Sequence, residues 1–159
     1  MISQIHFDMM NLNGGPEPAL LYREALNIGE YLDQKMHVNA MVFSEHHLAN
    51  YMTDPFGFAN AMAARTQRCR MRIQSAVAAN YDPMRLAEQA APLDIISNGR
   101  LDLTLAWGYD PAERAMYPRT MKAPELMSKL VALLRSAFVG QEFYWGGRTG
   151  ILKQLPVQQ

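Results

Sequence analysis

The chain of 159 residues has the length of one domain, and with 49% hydrophobic and 19% charged residues it can bury a core. Fifteen Lys and Arg balance fifteen Asp and Glu, which argues against a nucleic-acid binder with a broad basic surface. The single cysteine, Cys69, excludes an internal disulfide framework. The first residues have no charged segment followed by an apolar one, and no apolar run approaches the ~20 residues that span a bilayer. We therefore expect no signal peptide, no membrane span and a cytoplasmic location.

Apolar spacing predicts strands and helices that alternate along the chain. Strand patterns, either of period two or as a short apolar run, occupy residues 2–9, 40–43, 71–79 and 101–105. Helical spacing occupies residues 18–36, 55–66, 83–96 and 124–138. Asn98-Gly99 predicts a left-handed end to the third helix, and Asp110-Pro111 is assigned to a loop. Residues 142–157 have the pattern of a hairpin around Gly146-Gly147.

Alternating strands and helices predict a parallel sheet and therefore an α/β fold. Three Asp-Pro pairs, at Asp54, Asp82 and Asp110, are each 28 residues apart, as expected when regular βα units share a similar helix start. Four such units and the hairpin make a partial TIM-type barrel, because eight units take ~250 residues. A flavodoxin-like sheet of five strands is the alternative, but the chain is one unit short of it. In both folds, chemistry is expected at the C-terminal ends of the strands.

Glu45-His46-His47 directly follows the second predicted strand, at the end of the sheet where chemistry is expected. Histidine titrates near neutral pH and suits general acid/base catalysis. Adjacent histidines usually point in different directions, so at most one imidazole faces a substrate, and Glu45 is placed to orient an imidazole. The alternative is a polar loop with a capping histidine. We expect no metal site, because no ligand spacing such as HExxH is present.

Four arginines surround the single cysteine at the start of the third strand: Arg65, Arg68, Arg70 and Arg72. Such a cluster binds phosphate or activates a thiol in some proteins. Here it lies at the N-terminal end of the strand, away from the expected site, so a structural role is favoured.

Trp107 and Tyr109 follow the fourth strand, at the end of the sheet where chemistry is expected. An aromatic ring there either stacks on a planar ligand or packs the loop. No GxGxxG or GxxxxGK[ST] motif is present, so phosphate binding by a glycine-rich loop is not predicted.

Four segments form an ordered set that is more specific than any one of them. They are Glu45-His46-His47, Ala63-Ala64-Arg65-Thr66, Pro83-Met84-Arg85-Leu86-Ala87-Glu88-Gln89 and Leu93-Asp94-Ile95-Ile96-Ser97-Asn98-Gly99-Arg100. The last two are similar to a pattern P-x-R-x-A-E-x-x-A-x-x-D-x-x-S-x-G-R. With this set, the chain resembles the N-terminal half of the luciferase-like flavin-dependent monooxygenase family, to which bacterial luciferase belongs.

The resemblance implies a TIM barrel that binds reduced FMN, or a deazaflavin in one branch, and uses O2 to oxidise a small organic substrate. His46 matches the histidine proposed as acid/base in that family, with Glu45 and His47 as its catalytic neighbours. Ser75 and Ala76 match the part of the third strand that backs the isoalloxazine ring, where the family often has a cis peptide bond.

Two residues after the fourth strand also match positions near the flavin. Ala106 takes the place of the reactive cysteine of bacterial luciferase, and Trp107 that of an arginine near the flavin phosphate. Phosphate binding by this loop is therefore not expected. The resemblance also implies that residues 1–159 form a single luciferase-like domain that is truncated relative to the family.

Members of the family are longer than this chain, and the resemblance therefore implies that a partner completes the barrel. We expect a homodimer, or a partner that supplies the missing half-barrel, and also a flavin reductase. The alternative function is a non-catalytic fragment or a partner-dependent subunit. A homodimer through the helices after strands two and three would use their small residues, which otherwise pack within the chain: Ala59, Ala63, Ala87, Ala90 and Ala91.

Overall fold

The computed structural model describes residues 3–9, 15–36, 38–48, 52–117 and 121–152. Its strands and helices alternate, as predicted, up to the fourth strand. In chain order they are β1 (Gln4–Phe7), α1 (Pro18–Tyr31), β2 (Ala40–Phe43), α2 (Pro55–Arg65), β3 (Arg70–Val77), α3 (Pro83–Ser97), β4 (Leu101–Ala106), α4 (Pro111–Met116), α5 (Ala123–Phe138), β5 (Phe143–Trp145) and β6 (Arg148–Gly150). Helix α1 continues as a π-helical turn, Leu32–Met36, and a 3₁₀ turn, Ala78–Asn80, follows β3.

The first four strands form one sheet in the order β1-β2-β3-β4, and every neighbouring pair is parallel. This confirms the predicted α/β fold of four βα units. The strands follow one another in sequence order, as in a TIM barrel, whereas a flavodoxin-like sheet places its first strand between the second and third. Strands β1 and β4 are the two edges of the described sheet.

The two faces of the sheet differ in polarity, because side chains alternate along each strand. Met71 and Ile73 of β3 are fully buried in the core. On the opposite face, Arg72 forms an ion pair with Asp102 at 3.1 Å and donates a hydrogen bond to Gln4 at 2.9 Å. Burial opposes ionisation of Asp102, but hydrogen bonds from the neighbouring arginines outweigh it and lower its pKa. This part of the arginine cluster has the structural role that its position predicts.

Aspartates cap three of the helices that follow strands. The Asp54 side chain accepts from Gly57 N, and the Asp82 side chain accepts from Met84 N and Arg85 N. Asp110 accepts from Ala112 N at 2.7 Å and starts α4, where a loop was expected. That expectation was wrong because α4 has only six residues, too few for apolar periodicity to be visible.

Two sets of hydrogen bonds join the segments just before β3 and β4 to the ends of helices one βα unit earlier. Asp33 is buried and accepts hydrogen bonds from three successive backbone N–H groups, of residues 67–69, at the start of β3. Arg100, just before β4, donates to the carbonyls of Ala63 and Thr66 at the end of α2. Asn98 has a φ of 57°, which confirms the predicted left-handed end of α3.

Helices α2 and α3 pack against each other through small side chains. The alanines considered for a dimer contact, Ala59, Ala63, Ala87, Ala90 and Ala91, are all buried within the chain. They therefore serve intramolecular packing and offer no surface to a second copy.

The hairpin forms as predicted around Gly146 and Gly147, whose φ angles of 55° and 79° suit a tight two-residue turn. Arg148 joins it to the start of α3 through an ion pair with Asp82 at 2.5 Å. The last residues assigned to the hairpin lie outside the described part of the chain. Within that part, none of the helices has the length and apolar character needed to cross a membrane.

Candidate active site

A cleft of about 360 Å³ lies at the C-terminal ends of β2, β3 and β4. Its lining residues lie in the C-terminal halves of these strands or beyond them: Glu45, His46, Gln74, Ser75, Val77, Ala106, Trp107, Gly108, Tyr109 and Glu113. This is the end at which parallel βα folds carry their chemistry. Five of the seven predicted site residues line the cleft, and the other two, His47 and Ala76, do not.

Glu45 anchors the loop after β2 to the end of β3. Its side chain is 1% exposed and accepts hydrogen bonds from Val77 N at 2.9 Å, Asn80 Nδ2 at 3.0 Å and the Tyr81 hydroxyl at 2.9 Å. His47 Nε2 lies 2.7 Å from its Oε1. Burial raises the pKa of Tyr81 and the negative charge of Glu45 raises it further, so the Tyr81 hydroxyl stays a donor. Glu45 is therefore a buried carboxylate with donors on both oxygens.

The two histidines point in different directions, as expected for neighbours. The His47 imidazole contacts Glu45 and packs edge-on against Tyr117, with ring centroids 5.5 Å apart. The His47 backbone N–H donates to Glu113 Oε1 at 2.5 Å. His46, between two anchored residues, lines the cleft. Glu45 and His46 thus both border the cleft, and His47 does not.

Strand β3 changes its register beside the cleft. Its pairing with β4 shifts between Ile73 and Ala76, and the peptide bond between Gln74 and Ser75 is cis, as the resemblance implies. Ser75 lines the cleft, whereas Ala76 is fully buried in the core. The side chain of Ala76 therefore does not reach a ligand in the cleft.

The loop after β4 closes one side of the cleft. Ala106 lies opposite Val77 in the strand register, and Trp107 follows it on the cleft wall. Gly108 has a φ of 91°, and a Cβ there would lie 2.9 Å from Val77 Cγ1, so the position favours glycine. Tyr109 is 81% exposed at the mouth of the cleft.

Glu113 is the site residue that the sequence interpretation missed. It lies on α4, is 4% exposed, and lines the cleft beside Glu45. The signal was available: Asp110-Pro111 repeats the helix start of the two earlier Asp-Pro pairs and would have placed Glu113 in a first helical turn.

The cleft is lined by acidic side chains and, among the described residues, by none that are strongly basic. Glu45 and Glu113 contribute carboxyl groups, and no Lys or Arg is among the residues that the structure describes as lining it. A phosphate group would meet no cation there, as the departure at Trp107 suggests.

A larger groove of about 640 Å³ runs between α5 and the hairpin. It is lined by residues such as Leu126, Leu133 and Trp145 and by none of the predicted site residues. Cys69 is buried, and its burial together with the nearby Asp33 raises the pKa of its thiol to about 12. In the described ranges, no group of three or more His, Cys, Asp or Glu side chains could hold a metal ion.

Comparison with known proteins identifies the family. The sequence model of the luciferase-like monooxygenase family matches residues 12–159. The chain belongs to this family. Among curated luciferase-like relatives, the oxygenase component of a flavin-dependent trigonelline monooxygenase from Acinetobacter baylyi is 38% identical over 91 residues. The matched segment covers 55% of this chain and 25% of that protein.

Solved structures share the fold of this chain. The monooxygenase RslO1 from Streptomyces bottropensis superposes with a TM-score of 0.84 at 26% identity, over 98% of this chain and 49% of its own. The oxygenating constituent of 3,6-diketocamphane monooxygenase from Pseudomonas putida, solved in complex with FMN, has a TM-score of 0.79 at 16% identity, over 96% of this chain and 44% of its own. The luciferase-like chain thus spans about half the length of these two structures.

Proposed function

We propose that this chain forms the ring-binding side of a flavin-dependent monooxygenase site, which uses reduced FMN and O2 on a small organic substrate. The observation that carries the proposal is the position of His46. It lines a cleft at the C-terminal ends of the strands, between two residues whose side chains are held elsewhere. Membership of the luciferase-like family supports the same chemistry.

The residues have separate roles in this proposal. Ser75 and Ala106 border the ring, and the Gln74–Ser75 peptide forms part of the same wall. Trp107 closes the cleft from the loop after β4. When bound, reduced flavin would supply two electrons to O2, so that one oxygen atom enters the substrate and the other leaves as water. His46 holds or delivers a proton from its imidazole, while Glu45 and His47 hold the loop in place.

The phosphate of FMN needs a cation that the described cleft lining does not provide. We propose that a second copy of this chain, or a partner that supplies the missing half-barrel, contributes it and covers the edge strands β1 and β4. We further propose that a flavin reductase provides the reduced cofactor in the cytoplasm. The relative from A. baylyi is an oxygenase component, which supports a two-component system. Residues 1–159 would then act as one luciferase-like domain.

A second candidate function is a partner-dependent subunit or non-catalytic fragment. Two observations favour it: the sheet has open parallel edges, and the described cleft has no cation for a phosphate. In that case the chain retains the family's ring-binding surface and gains an active site only when the partner binds.

Anaerobic titration of the purified chain with reduced flavin, followed by absorbance, tests the proposal. Reduced FMN and reduced riboflavin are compared, because they share the ring and differ in the phosphate. A reduced deazaflavin is the third ligand, since the family contains users of both cofactors. Sedimentation of the same samples gives the oligomeric state.

Saturable binding with a Kd of about 1 μM for FMN and riboflavin alike supports a site that holds the ring alone. Tighter binding of FMN, together with a dimer, supports a phosphate cation contributed by the second copy. If only the deazaflavin binds, the cofactor of this chain is a deazaflavin and not FMN. If none of the three ligands binds, the proposed activity of the chain by itself is wrong, and the partner-dependent function is the one that remains.

A further inference from the structure

Glu113 is a buried acidic residue on α4 that forms a hydrogen bond to a distant part of the chain. Its Oε1 accepts the backbone N–H of His47 at 2.5 Å, across 66 positions in sequence, and the residue is 4% exposed. A buried ionisable group is costly unless its hydrogen bonds are made. The hydrogen bond that Glu113 accepts from the loop after β2 is therefore a specific contact.

Helix α4 carries two further contacts to the walls of the cleft. Arg114 Nη1 donates to the carbonyls of Gly108 at 2.8 Å and Tyr109 at 3.1 Å, in the loop after β4. Tyr117, directly after the helix, packs its ring against the imidazole of His47. One short helix thus contacts both the loop after β2 and the loop after β4.

We propose that Glu113 is a positioning residue that fixes the backbone at His47 and thereby sets where the His46 imidazole lies in the cleft. Glu45 holds the His47 side chain from β3, and Glu113 holds the His47 backbone from α4. With His47 held at both places, the backbone on one side of His46 is fixed. Any catalytic role of His46 rests on the proposed function, but the effect of Glu113 on the position of His46 does not.

The glutamate acts through its hydrogen bond in this proposal. A charged acceptor makes a stronger bond to an N–H group than a neutral one, but an amide oxygen in the same place can still accept. Glu113→Gln therefore keeps most of the positioning, whereas Glu113→Ala leaves the N–H of His47 without this acceptor. Glu88→Ala is the matched control, because it removes the same charge from an exposed glutamate on α3.

The test uses the full chain without flavin and reads the NMR signals of the two histidines. In E113A, the amide proton of His47 should move upfield and the ring signals of His46 should shift or broaden. In E113Q, both should stay near those of the unchanged chain, and E88A should leave them unaltered. Thermal unfolding of each variant shows that the folded state is being observed.

Reduced-flavin titration of the same variants gives an independent readout. We expect E113A to bind about tenfold more weakly than the unchanged chain, and E113Q to recover most of the affinity. Unmoved His46 ring signals in folded E113A would overturn the proposal, even if the His47 amide signal moves. So would an E113Q variant that restores this signal but binds flavin as weakly as E113A, because the charge would then act on the ligand directly. If the unchanged chain binds no flavin, the proposed function fails, and the NMR result still decides the role of Glu113.

Discussion

The side chains of Glu45 and His47 meet at 2.7 Å, and the residue between them, His46, lines the cleft. The contact holds one imidazole in the interior, where its side chain is 10% exposed. In the motif Glu45-His46-His47, the outer residues thus contact each other and hold the loop, while the middle one lines the cleft.

Replacing His46 with alanine should lower product formation strongly with little loss of folded structure. General acid/base catalysis contributes about 10²-fold or more to a rate, and His46 is not part of the buried core. Turnover with reduced flavin and thermal unfolding measure the two effects. Oxygenation at the unchanged rate in H46A would remove the acid/base role. His47→Ala is the contrasting variant, because it loses the contact with Glu45 and should unfold at a lower temperature.

Replacing Glu45 with alanine should destabilise the chain by about 3 kcal/mol, because several buried donors lose their acceptor together. The donors are Val77 N, the Asn80 amide and the Tyr81 hydroxyl. Urea denaturation measures the loss, with Glu88→Ala as an exposed control that should change stability by less than about 0.5 kcal/mol. Equal effects of the two variants would mean that the Glu45 contacts add no stability.

Arg100 should be difficult to replace even with lysine. Its guanidinium donates to five acceptors, the carbonyls of Ala63, Thr66, Cys69 and Ser97 and the Thr66 hydroxyl. Lysine has three donors and no planar fork, so R100K should restore only part of the roughly 2–3 kcal/mol that R100A loses. Denaturation of the two variants gives these values. The exposed Arg85, substituted in the same way, should have little effect.

Stability should fall at alkaline pH through Cys69. Burial is the main cause that raises the pKa of its thiol from 9.0 to about 12. An acid with a raised pKa in the folded state contributes its full stability below pH 9, and that contribution is lost as the pH rises toward 12. The free energy of unfolding, measured from pH 8 upward, should decline less steeply in Cys69→Ala. Identical slopes would show that the thiol ionises as readily in the folded chain as in the unfolded one.

The sequence predicted most elements to within a few residues, because their signals are local. A short apolar run marks β2, apolar periodicity marks α5, and aspartate caps mark the starts of α2 and α3. Helix α4 was missed because its six residues carry too little periodicity, although its Asp-Pro start was visible. The candidate site could be assigned to the C-terminal end of the sheet for the same reason: the strand ends could be located from local pattern.

The details of the site could not be read in that way. Ser75 and Ala76 are adjacent in sequence, yet the first lines the cleft and the second is fully buried, because side chains alternate in β3. Which of them faces the cleft depends on the register shift against β4, and no local pattern shows that shift.

By itself, the sequence determined the order of strands and helices, the parallel sheet they imply, and the loops in which chemistry could lie. These follow from periodicity, capping residues and the rule that parallel βα units present the C-terminal ends of their strands. Only the tertiary structure decided that His47 pairs with Glu45 while His46 lines the cleft, and that Glu113 contacts the same loop from 66 positions away. Such contacts depend on how neighbouring strands and helices pack, which local sequence patterns do not record.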